Sequence, residues 1–253
     1  MSLTLDLRAA ARARQPPLPP AGPLTAAVIA TWRGRMVNEH GSARVFEALS
    51  AQLAGIGEVD GAAACLRFAD EEREHGALCG AVVEAAGGEA LAPARPDDEF
   101  PLHADTSARA AALRNVLAVC CLAETVAVAL IGAERHDMPD GPLRELLTRI
   151  WADEVGHARF GWVTLARLAP TLDADERAAV ARYLPLALGH LEAHELAHLP
   201  LGPSWPDEAA RFGLCDGADA RTLFYDTVTD VIIPQLEAHG LPARDAWQHR
   251  RTA

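Results

Sequence analysis

The sequence predicts an all-α chain, on three observations. Apolar residues recur at three- and four-residue spacing through long stretches, which is the period of a helix buried on one side. Half of the 253 residues are hydrophobic but only 5% are aromatic, a composition that suits helix-on-helix packing. Such stretches include the Glu-x-x-His segments Glu72-Arg73-Glu74-His75 and Glu154-Val155-Gly156-His157. At i and i+3 on a helix a carboxylate and an imidazole leave the same face and can grip one metal ion.

Residues 1–22 hold several Arg and Pro residues and no apolar signal core, and are expected to be a flexible arm. A single helical domain is expected over 23–240, with a metal-binding core over 23–169. Its first helix runs from near Leu24 to Leu53, closed by Gly55 and Gly57. Glu39 falls in its middle; Glu47 is a rival ligand, and His40, about 100° round the helix, faces elsewhere. Asp60 is a candidate N-cap for the second helix, which carries Glu72 and His75 and stops at Gly87-Gly88. Cys79, one turn beyond His75, shares its face, as a small buried hydrophobe or a neighbour of the metal site.

Residues 89–104 contain several Pro and Asp and no periodicity, so they read as a long crossover. A third helix starts near Thr106 or Ser107 and reaches about His136. It carries Glu124 nearly alone in an apolar run, where a bare carboxylate costs several kcal/mol unless paired or metal-bound. Asp140-Gly141-Pro142 opens a fourth helix, with Pro142 suited to the first turn. It holds Asp153, Glu154 and His157 and ends near Ala169-Pro170. Two further helices occupy 173–240. The fifth, capped by Asp173, carries His190, His194 and His198 at i, i+4 and i+8, with no completing metal ligands in view. The sixth, from Ala218 to Gly240, is amphipathic through Phe224, Val228, Val231, Ile232 and Leu236, to cover the core or to meet a second copy in a homodimer. Residues 241–253 are left as a tail.

Glu39 and Glu124 each precede a Glu-x-x-His by about 30 residues, the length of half a helix, a turn and half an antiparallel helix. The order Glu39, Glu72-x-x-His75, Glu124, Glu154-x-x-His157 resembles the ferritin-like non-haem diiron carboxylate superfamily, over residues 23–168. The resemblance implies an antiparallel four-helix bundle holding two iron ions, Fe(II) or Fe(III), or a mixed manganese/iron pair. It implies that Glu72 and Glu154 bridge the metals while Glu39 and Glu124 are terminal. Glu71 and Asp153 each lie four residues before a ligating His and are candidates to accept its other N–H. Four carboxylates balance two divalent ions, and carboxylate with imidazole suits iron and manganese.

What the resemblance implies for function is a dinuclear iron oxidase or oxygenase that activates O2 against a small organic substrate, with an external electron donor such as a ferredoxin or a reductase. A rubrerythrin-like peroxide reductase or a ferroxidase is the alternative, and a non-catalytic metal-binding bundle is a second. No rubredoxin-like cysteine pairs follow the bundle. The net charge of −12 argues against a nucleic-acid partner or an anionic membrane surface. Five Cys without Cys-x-x-Cys spacing suggest a reducing, cytoplasmic setting. No Gly-rich phosphate loop or Gly-x-Ser-x-Gly elbow is present.

Overall fold

The computed structural model describes residues 4–94, 100–202 and 204–252, and the fold is all-α. Four long helical stretches carry the chemistry. The first, α2, spans Thr25–Gly55, and α3 spans Val59–Ala85. Before them come strand β1 (Thr4–Asp6) and the short helix α1 (Arg8–Arg12). The turn from α2 to α3 needs Gly57, whose φ of +82° is a left-handed conformation that strains any residue with a Cβ. Asp60 lies in the first turn of α3 rather than at its cap, which is Glu58. The two helices run antiparallel, since Ser50 Oγ donates to Ala62 O at 2.8 Å while Gly80 lies against Met36 and Gly76 against His40.

The crossover contains strand β2 (Leu91–Pro93), paired antiparallel with β1 so that Leu5 faces Ala92. Residues 95–99 of it lie outside the described residues. The third stretch starts as α4 (Ala108–Val116), N-capped by Ser107, whose hydroxyl accepts from Ala110 N at 3.2 Å. It widens into a π-helical segment, Leu117–Ala123, and continues as α5 (Glu124–Asp137). By length and composition Ala108–Asp137 could cross a membrane. Here it packs antiparallel to α6 (Pro142–Leu168): Trp151 Nε1 donates to Val128 O at 3.1 Å and Trp162 Nε1 to Thr125 Oγ1 at 3.0 Å. Helix α7 (Ala174–His198) opens with a capping box of Asp173 and Glu176.

The expected sixth helix is α8 (Gly217–Asp226), a π-helical segment (Thr227–Ile232) and α9 (Ile233–Ala238) in one run. The widened turn leads into Pro234, which has no N–H to give to the preceding turn. Phe224, Val228, Ile232 and Leu236 are buried within the chain, so this face covers the core and is not left for a second copy; Val231 is exposed.

Both ends of the chain are more structured than the sequence suggested. The expected arm over 1–22 is held down, where described, by the β1–β2 pairing, by Ala11 against Gly80, and by Arg12 and Arg14 on Glu84 and Glu74 of α3. The expected tail over 241–253 forms α10 (Ala243–His249), with Ala243 and Ala246 buried. Beyond it Arg250 and Arg251 both donate to buried Glu192 of α7 at 2.7–2.9 Å. Each segment is too short to show helical periodicity, and its order comes from contacts with distant residues.

The Glu192 carboxyl is held down at about 2, by the Arg251 hydrogen bonds against the cost of burial and with help from Arg250 and Tyr225. A depressed carboxyl adds stability above its ordinary value and loses it as pH falls through that value toward 2. Glu192→Gln is therefore expected to lower the unfolding free energy at pH 7 by about 1–3 kcal/mol. Urea melts at pH 7 and pH 3 check this: the deficit should shrink at pH 3.

Two apolar cores lie one at each end of the helices. One gathers Phe46, Leu49, Leu53, Cys65, Ala69, Leu165 and Leu168 with α4, the first π segment and α7–α10. The other gathers Val28, Trp32, Met36, Leu78, Cys79, Val82, Leu143, Leu147 and Ile150 with both strands. Along α2, α3 and α6 the buried stripe is continuous, and Glu39, Glu72, His75, Glu154 and His157 fall in it between the two cores. A polar layer therefore crosses the middle of the molecule.

Candidate metal centre

Six side chains converge in that layer. Glu39, Glu72, His75 and Glu154 form one group of potential ligand atoms within 4.8 Å of one another, and Glu72, Glu124, Glu154 and His157 form a second. Glu72 and Glu154 belong to both groups. These buried Glu and His side chains could hold metal ions. His75 Nδ1 lies 3.2 Å from Glu154, 3.8 Å from Glu39 and 3.9 Å from Glu72. His157 Nδ1 lies 3.2 Å from Glu154, 3.3 Å from Glu72 and 3.8 Å from Glu124. The rival Glu47 is outside the cluster and pairs with Arg73.

The donor set fits hard or borderline divalent cations. Glu72, Glu124, Glu154 and both imidazoles are buried and Glu39 is partly so, and charge at that depth is tolerable only when compensated. Burial, and next the Glu154 charge, pushes the Glu72 carboxyl well up, and the same two causes act on Glu124. Burial opposes ionisation of Glu154 too, but the His157 and His75 imidazoles, each with Nδ1 3.2 Å away, hold its carboxyl down. Glu72 Oε2 and His75 Nδ1 are buried without a hydrogen-bond partner among the described residues. An acceptor left bare beside three other carboxylates is a site a cation would satisfy.

The outer nitrogens of the histidines are held across the molecule. His75 Nε2 meets Asp153 at 3.0 Å, and His157 Nε2 meets Glu71 at 2.9 Å. The two acids do contact the histidines, but each serves the one on the opposite helix and not the one four residues along its own. With Nδ1 turned to the carboxylates, Nε2 points away from its own backbone toward the neighbouring helix. Replacing Asp153 by Asn should therefore weaken the metal served by His75, by about 10- to 100-fold, and spare the metal served by His157. Stepwise metal titration of D153N and of Glu71→Gln checks this, with the affected step exchanging between the two variants.

Glu124 is set by the π segment that ends at Ala123. The wide turn presses on α6 where Gly161 leaves room: a Cβ there would stand 2.5 Å from Cys120 Cβ and 2.7 Å from the Cys120 carbonyl carbon. Phe46 and Phe68 pack on the His157 ring, with centroids 5.1 and 4.4 Å away.

Glu39, Glu72, Glu124 and Glu154 face a cleft of about 1630 Å³, and Phe46 and Cys79 also line it. His75 and His157 do not line it. Its walls are a face of α2, the Ala127, Leu130 and Ile131 face of α5, and the Tyr183 to His198 face of α7. Arg35 of α2 donates to Glu134 of α5 at 2.9 and 2.5 Å, a pair in the cleft lining that pattern alone did not single out. Cys79 is buried in the second core, where burial pushes its thiol well up. His190, His194 and His198 line the cleft and belong to no metal-ligand group among the described residues. No family model matches the chain, and no similar curated protein or solved structure was found.

Proposed function

We propose that the chain is a ferritin-like four-helix bundle whose six convergent ligands hold two iron ions, and that it is an oxygen-dependent oxidase or oxygenase of a small organic molecule. The observation that carries this reading is that two ligand groups share Glu72 and Glu154 and present their carboxylates, not their histidines, to one large cleft. Two ferrous ions bound there would supply two electrons to dioxygen for oxidation of a molecule in the cleft.

In this reading Glu72 and Glu154 would contribute to holding both ions, Glu39 would complete one position and Glu124 the other. Asp153 and Glu71 fix the ring orientation and tautomer of His75 and His157, so that each Nδ1 keeps its lone pair for a metal. Phe46 and Phe68 cover the His157 ring. The same ligands serve iron or a manganese/iron pair. An external reductase or ferredoxin would restore the reduced state.

The test is anaerobic loading with Fe(II), metal quantification, and mixing with oxygenated buffer under stopped-flow absorbance. Two irons per chain, with oxygen uptake that rises when an organic substrate is added, is the expected result. Continued turnover on added Fe(II) alone would make the protein a ferroxidase, and turnover on hydrogen peroxide a peroxide reductase. Failure to bind iron stoichiometrically would overturn the dinuclear reading.

A further inference from the structure

The α7 wall of the cleft carries a carboxylate that the metal centre does not use. Glu195 lines the cleft one turn from Leu191, between His194 and His198. It is half-buried and has no hydrogen-bond or ion-pair partner among the described residues. Other acids of the lining are engaged: Glu134 is held by Arg35, and Asp216 caps α8 by accepting from Ala218 N at 2.8 Å. The same lining includes Ala123, Ala127, Leu130, Ile131, Ala187 and Leu191, which offer no charge, and Arg35, whose charge is taken up by Glu134. Lysine is absent from the entire sequence, so no side-chain amine can fold over onto this acid.

We propose that the cleft takes an apolar molecule bearing a basic nitrogen, with Glu195 receiving the nitrogen as an ammonium and the alkyl or aryl body lying along α5 toward the metal ligands. The proposal rests on the dinuclear reading above, which gives the cleft a reason to hold a substrate. An unpaired carboxylate in a largely apolar wall gains from a cationic guest and selects against an anionic one. Burial already pushes its carboxyl up to about 7, the cost that a paired ammonium would offset. A carboxylate guest would meet Glu195 with like charge.

The experiment is isothermal titration of the iron-loaded, full-length protein with n-octylamine, n-octanol and n-octanoate. The amine is expected to bind at least about tenfold more tightly than the alcohol, and the acid most weakly. Glu195→Gln should bring the amine down to the affinity of the alcohol, with iron content and far-ultraviolet circular dichroism unchanged. Glu195→Asp, which keeps the charge, should retain most of the preference. Asp219→Asn, at an exposed acid of the same lining, should leave it intact. Equal binding of all three probes, or an amine preference that survives E195Q in folded protein, would overturn the proposal. Loss of iron with the amine preference intact would instead remove the dinuclear reading, so the two failures are distinguishable.

Discussion

Glu154→Gln is expected to bind no metal ion at all, whereas Glu124→Ala should still bind one. The difference follows from sharing. Glu154 contributes to both ligand groups and lies 3.2 Å from the Nδ1 of both histidines, while Glu124 belongs to one group. A neutral amide in place of the shared carboxylate removes an anionic ligand from each metal position at once. In Glu124→Ala the group of Glu39, Glu72, His75 and Glu154 is complete. Metal quantification after anaerobic Fe(II) loading and desalting should give close to two per chain for the parent, one for E124A and none for E154Q. One metal retained by E154Q would mean that Glu154 is not required at both positions. Two retained by E124A would take Glu124 out of the ligand set.

The six convergent side chains were legible because each rule that singled them out is local. Glu-x-x-His needs only helical spacing, and Glu124 is conspicuous as a lone carboxylate in an apolar run. Other features depend on how distant segments meet. Glu71 and Asp153 were recognisable as histidine partners, but the pairing is across helices, and spacing along one helix cannot report it. The ordered ends depend on Ala11 meeting Gly80 and on Arg250 and Arg251 meeting Glu192, contacts between segments far apart in sequence. The cleft is likewise invisible in a linear reading, because its walls come from α2, α5 and α7. The π segment before Glu124 left one trace: a glycine, Gly161, in the middle of α6, where helix propensity alone would place a residue with a side chain.

That glycine makes the second large prediction. Gly161→Ala should lower stability and cost the chain one metal ion, although Gly161 touches neither metal position. Alanine in a helix interior ordinarily stabilises by about 0.5–1 kcal/mol relative to glycine, through reduced freedom of the unfolded chain. Here the added methyl would stand 2.5 Å from Cys120 Cβ, 2.7 Å from the Cys120 carbonyl carbon and 2.9 Å from Cys121 N. These atoms belong to backbone or lie next to it, so no rotamer change can clear them. The strain of forcing a methyl into packed helices is about 1–3 kcal/mol, enough to reverse the propensity gain. The segment that must yield is the π turn over Leu117–Ala123, whose last residue adjoins Glu124. Relaxing that turn moves Glu124 away from His157 and leaves the other ligand group in place. Gly156→Ala is the matched control: it lies on the same helix between two ligands, yet a Cβ there meets nothing within 4 Å. Thermal melts should show G156A at or above the parent and G161A several degrees below it, with about 2–4 °C for each kcal/mol in a chain of this size. Metal quantification should give two ions per chain for G156A and one for G161A. If G161A kept both metals while losing stability, the π turn would be a packing device with no part in placing Glu124.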